Sequence, residues 1–145
     1  MSVRSYTKIW IHLIWGTQDH KKILLDKEFR NKISSHLNEY SKSKNIYMKT
    51  NYVNADHVHC LIDLPTNKNV EETLQLLKGE SSSWINKQIT SKFSWAKGYA
   101  ALSVSESNLG KVVKYIANQE EHHHTKSFTE EYEEFLKLYG INLKG

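Results

Sequence analysis

Three observations predict an α+β fold. Residues 6–17 and His57–Leu64 alternate at a period of two, as strands with differently used faces do. Two longer stretches, one opening near Asp26 and one running from about Val70 to about Gln88, carry apolar residues at helical spacing. Shorter strand-like segments, 46–53 and Tyr99–Val104, follow the first helix and the second. The resulting order, strand, helix, strand, strand, helix, strand, is the ferredoxin-like βαββαβ order, an antiparallel sheet with two helices on one face. At 145 residues, with no internal repeat or linker, the chain reads as one domain (1–145). Within it, 1–104 reads as the core, 105–124 as an added helix and 125–145 as a tail helix.

In the first strand Ile9, Ile11, Leu13 and Trp15 share one face, with Trp10, His12 and Ile14 on the other. His12 reads as a hydrogen-bonded, half-buried histidine. The loop Gly16-Thr17-Gln18-Asp19-His20-Lys21-Lys22 leads to a helix capped by Asp26, with Phe29, Ile33, Leu37 and Tyr40 as its stripe. The 46–53 strand joins His57–Leu64 through Asn54-Ala55-Asp56, a hairpin connection closed downstream by Pro65. The second helix packs through Val70, Leu74, Leu77, Trp84 and Ile85, although Lys78-Gly79-Glu80-Ser81-Ser82-Ser83 is weak helix chemistry at its centre. Ser103-Val104-Ser105-Glu106 reads as a capping box for the next helix, Ser107–His122. In the tail, Phe128, Tyr132, Phe135, Leu136 and Tyr139 make an amphipathic helix, with Glu130, Glu131, Glu133 and Glu134 expected to face solvent.

The formal charge of +4 and pI near 9.0 suit a polyanionic partner without demanding one. The single cysteine, Cys60, excludes an intramolecular disulfide or a cysteine-built zinc site, and its strand position reads as a buried inert thiol. No signal peptide is evident, and the longest apolar run, Ile9–Trp15, is too short to span a bilayer, so a cytoplasmic protein with no membrane partner is expected.

The chemistry centres on Asp56-His57-Val58-His59. Val58, Cys60, Ile62 and Leu64 take one face of the strand, which leaves His57 and His59 together on the other, about 7 Å apart along the strand. Two imidazoles so placed suit a shared metal ion. Downstream, Leu109, Val112, Val113 and Ile116 form a helical stripe, and Tyr115 and Gln119 lie together to one side of it. Either Tyr115 is an exposed tyrosine on a solvated face, or it is a nucleophile with Gln119 as a metal ligand one turn on. A tyrosine of ordinary pKa, about 10, is ionised only to about one part in a thousand at neutral pH. It therefore needs a base or an electrophile polarised by a metal held by His57, His59 and Gln119; such a donor set suits Mg²⁺ or Mn²⁺.

These residues resemble the single-tyrosine HUH transposases of small insertion sequences that move as single-stranded DNA. The resemblance rests on Asp56-His57-Val58-His59 and Tyr115-Ile116-Ala117-Asn118-Gln119, with Leu77–Ser82 and Gly98–Ser105 as further similar stretches, and runs from Tyr6 to about His123. It implies that His57, His59 and Gln119 bind the metal and that Tyr115 attacks a DNA phosphodiester, leaving a 5′-phosphotyrosine link and a free 3′-OH. It also implies recognition of DNA hairpins and a homodimer whose active sites are shared between protomers. Two variants of that reading are a domesticated, repeat-associated hairpin nuclease of the same chemistry and a hairpin-binding protein without catalysis. The first loop departs from the family's Lys-x-Arg pattern. Lys21, Lys22, Lys78, Ser81, Ser82, Lys111 and Lys114 are the candidate DNA contacts. In Glu121-His122-His123-His124, His123 and His124 are not expected to be ligands.

Overall fold

The computed structural model describes residues 5–120 and 126–138; the His122–His124 run and Tyr139 lie outside them. Four strands, β1 (Trp10–Gly16), β2 (Tyr47–Val53), β3 (His57–Asp63) and β4 (Ala100–Val104), form one sheet in the order β2-β3-β1-β4. Every pairing is antiparallel. Helices α1 (Lys27–Ser43) and α2 (Val70–Gln88) cover one face, which is the expected ferredoxin-like core.

The face split read from the alternation holds. Ile11, Leu13 and Trp15 of β1 and Val58, Cys60 and Ile62 of β3 pack with Ile33 and Leu37 of α1 and Leu74, Leu77 and Ile85 of α2. Both helices open on side-chain caps: Asp26 accepts from the Glu28 amide at 3.0 Å and Asn69 from the Glu72 amide at 2.8 Å. Gly79 and the serines leave α2 unbroken, and Ser81 turns its hydroxyl back onto the Leu77 carbonyl at 2.7 Å. The 103–106 capping box does not form. Ser103 and Val104 are still paired in β4, and Ser105 opens a 3-10 turn (Glu106–Asn108) with no side-chain cap bond.

The opposite face of the sheet, which carries His57 and His59, is covered in its turn. Two helices lie on it: α3 (Leu109–Ala117) and α4 (Phe128–Leu138). Helix α3 seats Ile116 over Trp10, Leu61 and Val104. Helix α4 seats Phe128 and Leu136 over Ile14, Ala100 and Leu102. His57 and His59 lie between these two apolar patches. Strand β1 ends at Gly16, paired with His57; a Cβ there would stand 3.1 Å from the Phe128 ring and 3.3 Å from the Asp56 carbonyl. A side chain at this position would press its neighbours back by a few tenths of an ångström. Among the described residues, no helix is long and apolar enough to cross a membrane.

Candidate active site

Strand pairing places three histidines on one patch of the sheet. In β3, His57 and His59 are fully buried with ring centroids 5.0 Å apart, and His12 of the neighbouring β1 joins them. Each metal-candidate ring is held through its far nitrogen. His57 Nδ1 donates to Asp56 Oδ1 at 2.7 Å, which turns Nε2 inward. His59 Nδ1 lies 2.8 Å from His12 Nε2, which likewise leaves His59 Nε2 facing inward. Orientation of a ligating imidazole by a carboxylate or another polar group is the usual support of a metal centre. His12 is hydrogen-bonded as expected, but it is fully buried; burial first, and the neighbouring His59 second, lower its pKa well below the ordinary value. A neutral His12 shares a single hydrogen bond with His59 Nδ1 and so holds that ring in position.

The tyrosine helix is shorter than its periodicity predicts. It ends at Ala117; Asn118 departs from helical geometry and the chain resumes helical conformation at Gln119. Asparagine is a weak helix former whose side chain competes for backbone groups, which accounts for the break between the two residues of interest. The break leaves Gln119 fully buried, its Oε1 accepting from Asn54 Nδ2 at 3.1 Å. The same Asn54 nitrogen lies 3.1 Å from His57 Nε2. Asn54 thus ties the glutamine to the histidine pair. Tyr115 is half-buried with its ring 5.9 Å from that of His59 in the same chain. The structure therefore brings His57, His59, Tyr115 and Gln119 together without a second copy.

A further residue reaches the centre. Glu131 of α4 is 3% exposed, not solvent-facing as the tail's charge pattern suggested. Its Oε1 lies 2.8 Å from His59 Nε2 and 3.5 Å from His57 Nε2. The signal was in the spacing: from Phe128, Glu131 falls on the i+3 position of the Phe128, Tyr132, Phe135, Leu136 stripe. Against burial, Asp56 and Glu131 raise the His57 pKa. Burial, followed by a hydrogen bond to Glu131 and its charge, pushes the Tyr115 hydroxyl well above the ordinary tyrosine range, with Gln119 opposing. The ligand atoms of His57, His59 and Glu131 all lie within 4.8 Å of one another. Imidazole nitrogens with a buried carboxylate and an amide oxygen at hand are a donor set that fits a divalent ion.

The candidate DNA contacts divide by position. A cleft of about 630 Å³ opens beside Asp56 and Phe128 and is lined by Lys22, Arg30 and Lys126 among others. Lys21 is exposed on the adjoining loop, and Lys111 and Lys114 are exposed on α3. Lys78, Ser81 and Ser82 belong to α2, on the other side of the sheet from the histidines. Ser81 is corrected as a DNA contact: it is fully buried and accepts from Trp95 Nε1 at 3.0 Å. Lys78 Nζ donates to the Ala96 and Lys97 carbonyls at 2.7 and 3.2 Å, pinning the loop before β4. Lys78→Ala should cost about 1 kcal/mol of stability and leave the salt dependence of DNA binding unchanged. Lys22→Ala should leave the melting temperature unchanged and lower the slope of log affinity against log salt by about 1. Thermal melts and salt-titrated anisotropy check both.

The profile of the family described as "Transposase IS200 like" matches residues 5–119, which span β1 through Tyr115 and Gln119. This chain belongs to the IS200-like transposase family. The transposase for insertion sequence element IS200 of Salmonella typhimurium is 31% identical over 115 residues, covering 74% of this chain and 74% of that protein. The ISDra2 transposase TnpA of Deinococcus radiodurans is 24% identical over 115 residues, 74% of this chain and 81% of that one. Among solved structures, a candidate transposase from Deinococcus radiodurans R1 superposes with a TM-score of 0.64 at 24% identity, covering 82% of this chain and 97% of that one. A REP-associated tyrosine transposase bound to a REP hairpin gives 0.62 at 14% identity, over 85% and 73%. These structural likenesses show a shared fold over more than four-fifths of the chain.

Proposed function

We propose that this IS200-like transposase cleaves and rejoins single-stranded DNA, with Tyr115 as nucleophile and His57, His59 and Gln119 as ligands of Mg²⁺ or Mn²⁺. The observation that carries the reading is the meeting of a tyrosine hydroxyl, two inward-facing imidazole nitrogens and a buried glutamine in one family-matched chain. Tyr115 Oη attacks the phosphorus and the P–O3′ bond breaks. The phosphoryl group stays on the tyrosine as a 5′-phosphotyrosine, and the phenol's proton leaves to balance the 3′-OH formed. Reversal at a new junction rejoins the strand, so no external energy source is needed. A bound divalent ion supplies Lewis-acid polarisation of the phosphoryl oxygens. Asp56 and His12 hold the two imidazoles in the ligating orientation, and Asn54 holds Gln119 beside them.

The REP-associated relative is bound to a DNA hairpin, which supports hairpin ends as this chain's substrate, with Lys22 in the cleft as a phosphate contact. A homodimer whose active sites are shared between protomers is proposed from the family resemblance; the single chain by itself already sets Tyr115 beside its own His59.

The test is incubation with single-stranded DNA from the flanks of the gene, with Mg²⁺, Mn²⁺ or EDTA. A covalent protein–DNA adduct should form with metal and vanish with EDTA; an adduct of equal yield in EDTA would sink the metal role. Affinity for Mn²⁺ should fall with pH. The ligating form of His57 is unprotonated, and its pKa is raised above 6.5 by Asp56 and Glu131. Protons therefore compete below that raised value, by about tenfold per pH unit for one proton displaced. Mn²⁺ titrations at several pH values measure this.

A further inference from the structure

Glu131 lies on a helix beyond the stretch matched by the family, yet its carboxylate reaches the centre of the site. We propose that Glu131 is itself a ligand of the metal, and that the metal thereby fastens α4 over Tyr115. The inference rests on the metal centre proposed above and adds a ligand and a consequence to it.

Geometry is the first support. Cis ligands of an octahedral ion with bonds of about 2.1 Å stand about 3 Å apart, and Glu131 Oε1 stands 2.8 and 3.5 Å from the two histidine Nε2 atoms. Chemistry is the second. A carboxylate is the hard oxygen donor that Mg²⁺ and Mn²⁺ prefer to an amide, and it lowers the net charge of an ion held in a buried site. The setting is the third. The Phe128 ring stacks on His57 at 4.0 Å and 11°, and the Phe135 ring meets Tyr115 edge-on at 4.9 Å and His12 at 5.3 Å. These rings wall the carboxylate off from solvent, where a buried charge persists only with partners or a metal. Glu131 also accepts the Tyr115 hydroxyl. A DNA phosphate would offer a bound ion the same kind of anionic oxygen, and so would compete with the Glu131 carboxylate. The state with Glu131 bound is therefore a closed one, in which the nucleophile faces a glutamate rather than a strand.

The experiment uses Mn²⁺ without DNA on the full chain. Calorimetric titration compares wild type, Glu131→Gln and Glu131→Asp, and hydrogen exchange follows the α4 amides with and without Mn²⁺. Expected results are affinity at least about tenfold weaker for Glu131→Gln, an intermediate value for Glu131→Asp, and slower α4 exchange in wild type when Mn²⁺ is added. Equal affinity of Glu131→Gln and wild type would overturn the ligand, and α4 exchange indifferent to Mn²⁺ would overturn the fastening. If Glu131→Gln fails to fold, as judged by its melt, the wild-type exchange and the Asp variant still decide. Absence of Mn²⁺ binding to wild type would instead overturn the metal centre itself, and this inference with it.

Discussion

Tyr115→Phe should abolish covalent capture of single-stranded DNA, by about 10³-fold or more, while hairpin binding stays within about twofold. The substitution removes one oxygen and keeps the ring. That ring packs edge-on against Phe135 at 4.9 Å and His59 at 5.9 Å, so α3 keeps its seat on the sheet. The hydroxyl lost is one that donates to Glu131, which costs about 1 kcal/mol and leaves folding intact. Adduct formation on denaturing gels and anisotropy with a labelled hairpin read the two quantities separately. Undiminished adduct from the phenylalanine variant would remove Tyr115 from the nucleophile's role.

His57→Ala should weaken Mn²⁺ binding by about 10²-fold or more and suppress cleavage in proportion. Its stability effect has a sign that can be checked in the metal-free protein. Asp56 and Glu131 raise the His57 pKa above 6.5 in the folded state. The stabilisation linked to that proton is fully present below about pH 6.5 and is lost as the pH rises through the folded value. The gap in melting temperature between wild type and His57→Ala should therefore be wider at pH 6 than at pH 9. A gap that widens towards alkaline pH would mean that the two carboxylates do not act on this ring. Mixing His57→Ala with Tyr115→Phe also tests which protomer supplies the nucleophile: with active sites shared between protomers, some cleavage should return after subunit exchange. No recovery would keep the tyrosine at its own His59, where the single chain sets it.

Much of this arrangement was legible because strand alternation is a strict code. One residue of slip would have turned His57 and His59 into the core beneath α1 and α2. Instead, Val58, Cys60 and Ile62 mark that face, and the histidines follow on the other. The cap at Asp26 and the bounds of α2 follow from local chemistry in the same way. Tertiary placement was less legible. The Lys78–Ser82 stretch has the composition of a phosphate contact, but no local rule says which side of the sheet a helix will take. The glutamate run looked like a solvated face because charge was weighed by composition rather than by helical position. Its one member on the apolar stripe is the one that is buried. The break at Asn118 turns Gln119 inward through a local conformation that a uniform angle per residue does not contain.

The end of β1 has a mechanical consequence. At Gly16 bare backbone faces the Phe128 ring, with only the room a hydrogen atom needs. That missing methyl leaves clearance for the Phe128 ring, which stacks on His57 at 4.0 Å. The seal over the site is thus set partly by a residue that has no side chain and touches no ligand. A tolerance of a few tenths of an ångström at a strand end governs how tightly the far end of the chain closes on its own chemistry.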